Sequence, residues 1–310
     1  MRLVAAPLAA VLLGIALAGC GGDGAEPGAP GGATLILDFQ PNAVHAGIYA
    51  AQANGDFEDE GIDLEIREPS STTDGAMLLE AGRADFAVMD INDLGIARGR
   101  GQDLAAIAAI VQRPLASVIA RDRDQIRNPA DLAGRTVGVT GVPSDDAVLD
   151  TVLRSARVDP GDVDRVTIGF NAVAQLAAGK IDAATAFWNA EGVQLRELGI
   201  QTREFRVDEF GAPRYPELLL VAEAGARGDE LAPRMIEALG DGYEVLGRSP
   251  EDALRDLLDQ APGLDADSMA AQLEALTASR AFARGGAAVT AELDERSVAR
   301  WRTWAGLDGS

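Results

Sequence analysis

The chain has 310 residues, 47% of them hydrophobic, enough to bury a sizeable core in one large domain or two medium ones. Its formal net charge of −22 excludes a nucleic-acid partner, because no basic surface is available to neutralise a run of phosphates. Lys180 is the only lysine and Cys20 the only cysteine, so no internal disulfide is possible.

In chain order, Arg2 precedes an apolar run from Leu3 to Leu17. That run falls short of the roughly 20 residues a spanning helix needs and closes on small residues, as a secretory signal does. Leu17-Ala18-Gly19-Cys20 resembles the bacterial lipobox. The resemblance implies removal of residues 1–19, lipid on the Cys20 thiol, and an extracytoplasmic protein anchored to the cell membrane. Residues 20–33, rich in glycine and proline with little to bury, read as a flexible tether, so the folded body is expected to begin near Thr34.

Leu35-Ile36-Leu37 reads as a short buried strand, stopped by a polar and aromatic run that ends in a proline. Pro41 disfavours helix at Gln40 but suits a first helical turn, so a strand-loop-helix corner is expected, with Val44, Ile48 and Ala51 on one helix face. Asp38, Phe39, Asn42 and His45 then crowd the carboxyl end of a strand, where open α/β sheets bind ligands. Ile62 to Ile66 alternates as a half-buried strand, and Ser70 to Gly75 offers caps for a helix ending near Gly82. Ala84 to Met89 is a strand that delivers Asp90 and Asn92 at its end. Leu104 to Val111 is another, which completes a βαβ pattern.

A second set begins at Pro114, with strands expected at Leu115 to Ala120, Thr136 to Val139 and Val166 to Ile168. Gly141-Val-Pro-Ser144 turns onto a helix running from Asp145 to about Ala156. An internal echo follows: Leu79 to Asn92 aligns without a gap on Leu176 to Asn189, each reading as helix, glycine stop, basic residue, aspartate, strand and polar end. Gly82 and Gly179 suit the left-handed conformation that closes helices. Two similar α/β lobes are expected, with Asp90 and Asn92 looking across at Trp188, Asn189 and Glu191. Tyr215 to Ala222 is the last strand, and helices follow at Leu231 to Leu246, Pro250 to Gln260, Asp265 to Ser279 and Ala291 to Trp304.

Catalytic chemistry is scarce. His45 is the only histidine, there is no Gly-x-Ser-x-Gly elbow, no zinc-type His/Cys cluster, and no complete phosphate loop. Binding chemistry gathers at strand ends instead. Asp38 is either a turn aspartate or a carboxylate accepting from a ligand N–H; Phe39 is core or a plate for a flat ligand. Asn42 either caps a helix or meets ligand, and His45 is either structural or a donor. Trp188 reads as an interface residue or a stacking platform, the platform favoured, and Glu191 as helix-terminal or amidine-binding. Gly141 and Ser144 open a helix whose free N–H groups would hold a ligand oxygen, unless the serine is only an N-cap.

The stretch Leu37-Asp38-Phe39-Gln40-Pro41-Asn42-Ala43-Val44-His45-Ala46-Gly47-Ile48-Tyr49 resembles the opening of the solute-binding proteins for thiamine pyrimidine precursors. These sit among the type II periplasmic binding proteins, with alkanesulfonate and taurine binders. The similarity continues through Ala81 to Phe86, Pro129 to Val139, Gly141 to Asp146 and Phe187 to Gly192. It implies two Rossmann-like α/β lobes with a hinge and a central ligand cleft, crossing near Leu115–Ala120 and Leu218–Ala222. The expected division is 34–115 with 222–310 for lobe 1 and 116–221 for lobe 2. It also implies a small heteroaromatic ligand, an ABC permease and ATPase as partners, and Asp38, Trp188 and Glu191 as contacts to an aminopyrimidine. A monomer is expected. One departure matters: the aromatic after the aspartate is commonly tryptophan and here is Phe39, so riboflavin or another flat nitrogen heterocycle stays open, as does an aliphatic sulfonate. A related fungal branch makes the pyrimidine from its own histidine and a vitamin B6 cofactor with a cysteine-rich motif. This body has no cysteine, and Lys180 alone could form a Schiff base, so neither an enzyme nor a cofactor is expected.

Overall fold

The computed structural model describes residues 31–70, 74–122, 125–141, 143–283 and 289–305. Residues 1–30, with the expected signal sequence, Cys20 and most of the expected tether, lie outside them. The first sheet has the order β2 (Ile62–Arg67), β1 (Gly31–Ile36), β3 (Phe86–Asp90), β10 (Leu218–Glu223), β4 (Leu104–Ala109). The second repeats it: β7 (Asp164–Thr167), β6 (Thr136–Val139), β8 (Ala183–Phe187), β5 (Ala116–Arg121), β9 (Thr202–Arg206). In each sheet the first three strands are parallel and the fourth runs antiparallel. That fourth strand is the first one formed after the chain has crossed from the other sheet.

The echo in sequence has a common physical cause. Helices α3 (Asp74–Glu80) and α6 (Ala172–Ala178) both stop at a left-handed glycine, Gly82 with φ 61° and Gly179 with φ 66°. An aspartate follows in each lobe. Asp85 Oδ2 accepts from the Thr34 N–H of β1 at 2.8 Å, and Asp182 Oδ2 from the Thr136 N–H of β6 at 2.9 Å. Each carboxylate thus ties the turn after its helix to the strand beside it.

Between the sheets the chain crosses twice, at 110–115 and at 207–217, just ahead of the segments the resemblance assigned to the crossing; those segments are β5 and β10 themselves. The two crossings bond to one another through Val111 N–H to Leu218 O at 3.1 Å and Glu217 N–H to Val111 O at 3.0 Å. Strand β1 begins at Gly31, three residues before Thr34, where the folded body was expected to begin, because Gly31 N–H donates to Gly61 O and the strand pairs with β2 from there. Thr202–Arg206 forms an edge strand, β9, that sequence does not announce, since only Phe205 in it is fully buried.

The C-terminal helices return to the first lobe. Helix α8 (Ala226–Arg248) crosses α1 (Ala46–Asn54), followed by α9 (Pro250–Gln260), α10 (Ala266–Ala278) and α11 (Glu295–Ala305). The crossing of α1 and α8 is tight because both helices present glycine. A methyl group on Gly242 would stand 2.2 Å from the Gly47 carbonyl oxygen, and one on Gly47 would stand 2.5 Å from the Tyr243 ring. Tyr243 then donates to Ile110 O at 2.7 Å, tying this helix pair to the first crossing.

Candidate functional site

Between the two sheets lies a cavity of about 160 Å³, lined by residues from both lobes. For scale, an apolar cavity of about 150 Å³ admits one benzene ring.

Its lobe 1 wall starts at the corner after β1. Asn42 caps the short helical turn Ala43–His45, its Oδ1 accepting from Val44 N–H at 3.1 Å. Its own N–H meets His45 Nδ1 at 3.2 Å, which makes that ring nitrogen the acceptor and leaves the proton on Nε2. Nε2 donates to Asp38 Oδ1 at 2.8 Å. Asp38, Phe39 and Asn42 line the cavity, whereas His45 is wholly buried behind them and orients Asp38 rather than reaching a ligand.

At the end of β3, Asp90 caps α4 (Ile91–Gly99) by accepting from Asn92 N–H at 2.6 Å. Asp90 and Asp93 face the cavity. Asn92 does not, because its Oδ1 accepts from the Trp301 indole N–H at 2.9 Å and so anchors α11. Glu217, in the second crossing, completes this side and accepts from Leu115 N–H at 3.2 Å.

On the lobe 2 side, Gly141 turns the chain from β6 into α5 (Pro143–Ser155) with φ 104°, but it does not line the cavity. Ser144 does, and it hydrogen-bonds Asp93 across the cleft. Asp145 accepts from Thr140 N–H at 2.6 Å and from the Thr185 hydroxyl at 2.9 Å. Phe187, Asn189 and Glu191 come from the end of β8 and the start of α7 (Glu191–Glu197), with Glu191 accepting from Phe187 N–H at 3.0 Å.

Trp188 does not line the cavity. It is fully buried, its indole N–H donates to Pro114 O at 3.0 Å, and the Arg206 guanidinium sits 4.1 Å from its ring centroid. Trp188 and Asn189 lie in the turn that follows β8, where Trp188 turns inward to the Pro114 carbonyl while Phe187 and Asn189 line the cleft. The echo carried the same signal, because Trp188 aligns with Ile91, which is also buried. The aromatic surface of the cavity comes instead from Phe39, Phe187 and Phe170. Phe39 meets Phe170 across the cleft at 5.0 Å between centroids and 59° between planes. Phe170 is 54% exposed, and an unburied phenylalanine after a strand was the one sequence cue to it.

Electrostatically the site is one-sided. Among the described residues six carboxyl groups line it, from Asp38, Asp90, Asp93, Asp145, Glu191 and Glu217, and no lysine, arginine or histidine does. Burial pushes the Glu217 carboxyl well up, and its hydrogen-bonded neighbour Asp90 adds to that. Burial likewise raises Asp90. Asp93 is pushed up to about 7 by burial and then by the charge of Asp90, and Glu191 is raised by burial. Asn189 is also unsatisfied: it is 1% exposed, and neither amide atom has a hydrogen-bond partner among the described residues. No group of three His, Cys, Asp or Glu side chains among the described residues is arranged to hold a metal ion.

Residues 42–253 match the family described as "NMT1/THI5 like". This chain belongs to the NMT1/THI5-like family. Among its relatives, it is 33% identical over 228 residues to the formylaminopyrimidine-binding protein of Halalkalibacterium halodurans, covering 72% of this chain and 69% of that one. It is 27% identical to the 4-amino-5-hydroxymethyl-2-methylpyrimidine phosphate synthase of Legionella pneumophila, covering 74% of each. The NMT1/THI5-like relatives thus include both a binding protein and a synthase. Among solved structures, the alkanesulfonate-binding protein of Xanthomonas axonopodis pv. citri superposes with a TM-score of 0.70 at 16% identity, over 90% of this chain and 92% of that one. The ligand-binding component of an ABC-type import system from Staphylococcus aureus gives 0.68 at 12% identity, over 89% and 91%. The fold is that of the type II periplasmic binding proteins, two α/β lobes about a central cleft.

Proposed function

We propose that this chain is the solute receptor of an ABC importer, held outside the cell membrane by lipid on Cys20, and that it captures a small aminopyrimidine-like compound between its lobes. The observation that carries the reading is the pairing of the unsatisfied Asn189 amide with a one-ring cavity walled by phenylalanines and carboxyls. A carboxamide presents one donor beside one acceptor, the pattern that reads the edge of an adenine bidentately. An aminopyrimidine offers the same edge in a ring nitrogen and its amino group. Carboxylates at Asp38 and Glu191 accept from amino and ring N–H groups. The name of the Halalkalibacterium relative supports the same ligand class.

Two other readings fare worse on this geometry. An aliphatic sulfonate would place an anion among six carboxyl groups with no basic lining residue among the described ones, which Coulomb repulsion opposes. The three-ring body of riboflavin exceeds a cavity of about 160 Å³. The synthase reading needs an amine for a Schiff base, and Lys180 lies exposed in the turn after α6, outside the cavity lining. Isothermal titration with formylaminopyrimidine, hydroxymethylpyrimidine and riboflavin tests the proposal. One of the two pyrimidines should bind with a Kd of about 1 µM or tighter. Heat from riboflavin alone, or from none, overturns the ligand assignment.

A further inference from the structure

The carboxyls of the cavity form a connected run. Glu217, Asp90, Asp93, Asp145 and Glu191 all line one cavity, each close enough to the next for its charge to be felt. Every through-space charge that bears on Asp93, Glu191 and Glu217 comes from another carboxylate. The first turns of α4, α5 and α7 all carry these acids at the cleft, so the positive ends of the three helices meet the protein's own carboxylates rather than an open anion site. Like charges brought together in poorly hydrated surroundings destabilise the empty protein, and they persist where a ligand relieves them.

We infer that the ligand is a heteroaromatic ring carrying an ammonium group on a short side chain, which supplies the positive charge this carboxyl run lacks. The inference rests on the receptor reading above and narrows it from aminopyrimidines in general to cationic ones. Asn189, buried and unpartnered in the same wall, supplies the independent sign that a ligand completes this cavity. The ring lies against the phenylalanines and the Asn189 amide, and the ammonium donates to carboxylates of the run. An ammonium has three donors, and a charge-assisted hydrogen bond is roughly twice as strong as a neutral one. A neutral hydroxymethyl or formylaminomethyl group in the same place leaves the acids crowded.

Three pyrimidines that share the 4-amino-2-methyl ring and differ at position 5 test this: aminomethyl, hydroxymethyl and formylaminomethyl. Calorimetric titration of the full chain at neutral pH should give the aminomethyl compound about tenfold tighter binding than either neutral one. Asp93→Asn and Glu217→Gln each remove a carboxyl from the run and should each shrink the ratio of aminomethyl to neutral-compound affinity. Glu217→Gln keeps the shape of the carboxyl while removing its charge, so it guards against misfolding of the other variant. Equal or weaker binding of the aminomethyl compound than of a neutral one overturns the charge inference and leaves the aminopyrimidine receptor standing. A preference unchanged in both variants overturns the assignment to these acids, and silence with all three compounds overturns both readings.

Discussion

Asn189 carries an unusual energetic burden for a residue with 1% exposure. A buried amide without partners costs about 1–3 kcal/mol relative to its hydrated state, and a ligand that satisfies it recovers much of that. Asn189→Ala should therefore weaken binding of the cognate pyrimidine by about tenfold while leaving the empty protein as stable or more so. Calorimetry and thermal melting on the same preparation check the two halves; loss of stability without loss of affinity would make the residue structural. Asp93 gives a second test at this scale. Its pKa, pushed up to about 7 by burial and Asp90, lies above the unfolded value of about 3.9, so the folded state holds a proton that the unfolded state has released. Its stabilising contribution is present below about pH 4 and is lost as pH rises through about 7. The melting temperature of the empty protein should fall between pH 5 and pH 8, and Asp93→Asn should reduce that fall. An identical slope in the variant would remove Asp93 from the account.

Among the elements, the α1/α8 crossing positions the Asp38 corner, because α1 follows directly from the turn that holds Asn42 and His45. Gly242 permits that approach, and Gly242→Ala would drive a methyl group into the Gly47 carbonyl and the Ala51 side chain. Overpacking of this kind costs about 1–3 kcal/mol, which urea denaturation should register as a lower midpoint with the slope unchanged. A midpoint unmoved by the substitution would mean that the helices separate without penalty. The elements also show what was legible in sequence. The Asp38 corner, the turn and helix from Gly141 to Ser155, and the duplicated helix-glycine-aspartate-strand units were readable because each rests on local rules of capping, turn chemistry and periodicity. His45, Asn92 and Trp188 were drawn toward the ligand by their chemistry, yet their partners are Asp38, Trp301 and Pro114. The last two pairs join residues far apart in the chain, which no local pattern reveals. Glu217 escaped notice because it sits in a crossing segment beside apolar neighbours, and its role appears only when the two crossings lie together.

For the whole molecule, two similar sheets are joined by two hydrogen-bonded crossings, and the Phe39–Phe170 contact bridges the lobes across the cleft. A ligand that bonds both walls favours the closed arrangement by its differential affinity for it. Small-angle scattering should show a smaller radius of gyration when the cognate pyrimidine is added. Phe170→Ala should speed ligand release by about three- to tenfold, read by stopped-flow fluorescence, since an aromatic pair contributes about 0.5–1.5 kcal/mol beyond its area. Unchanged release would place the closing contact elsewhere.

The most direct measurement is a crystal structure of the chain with the pyrimidine that binds most tightly in solution. The ring should lie between the lobes against Phe39 and Phe170, with the Asn189 amide within hydrogen-bonding distance of its amino edge and any ammonium among Asp90, Asp93 and Glu217. A ring bound outside this cavity, or one inside it with Asn189 still unpartnered, would contradict the account.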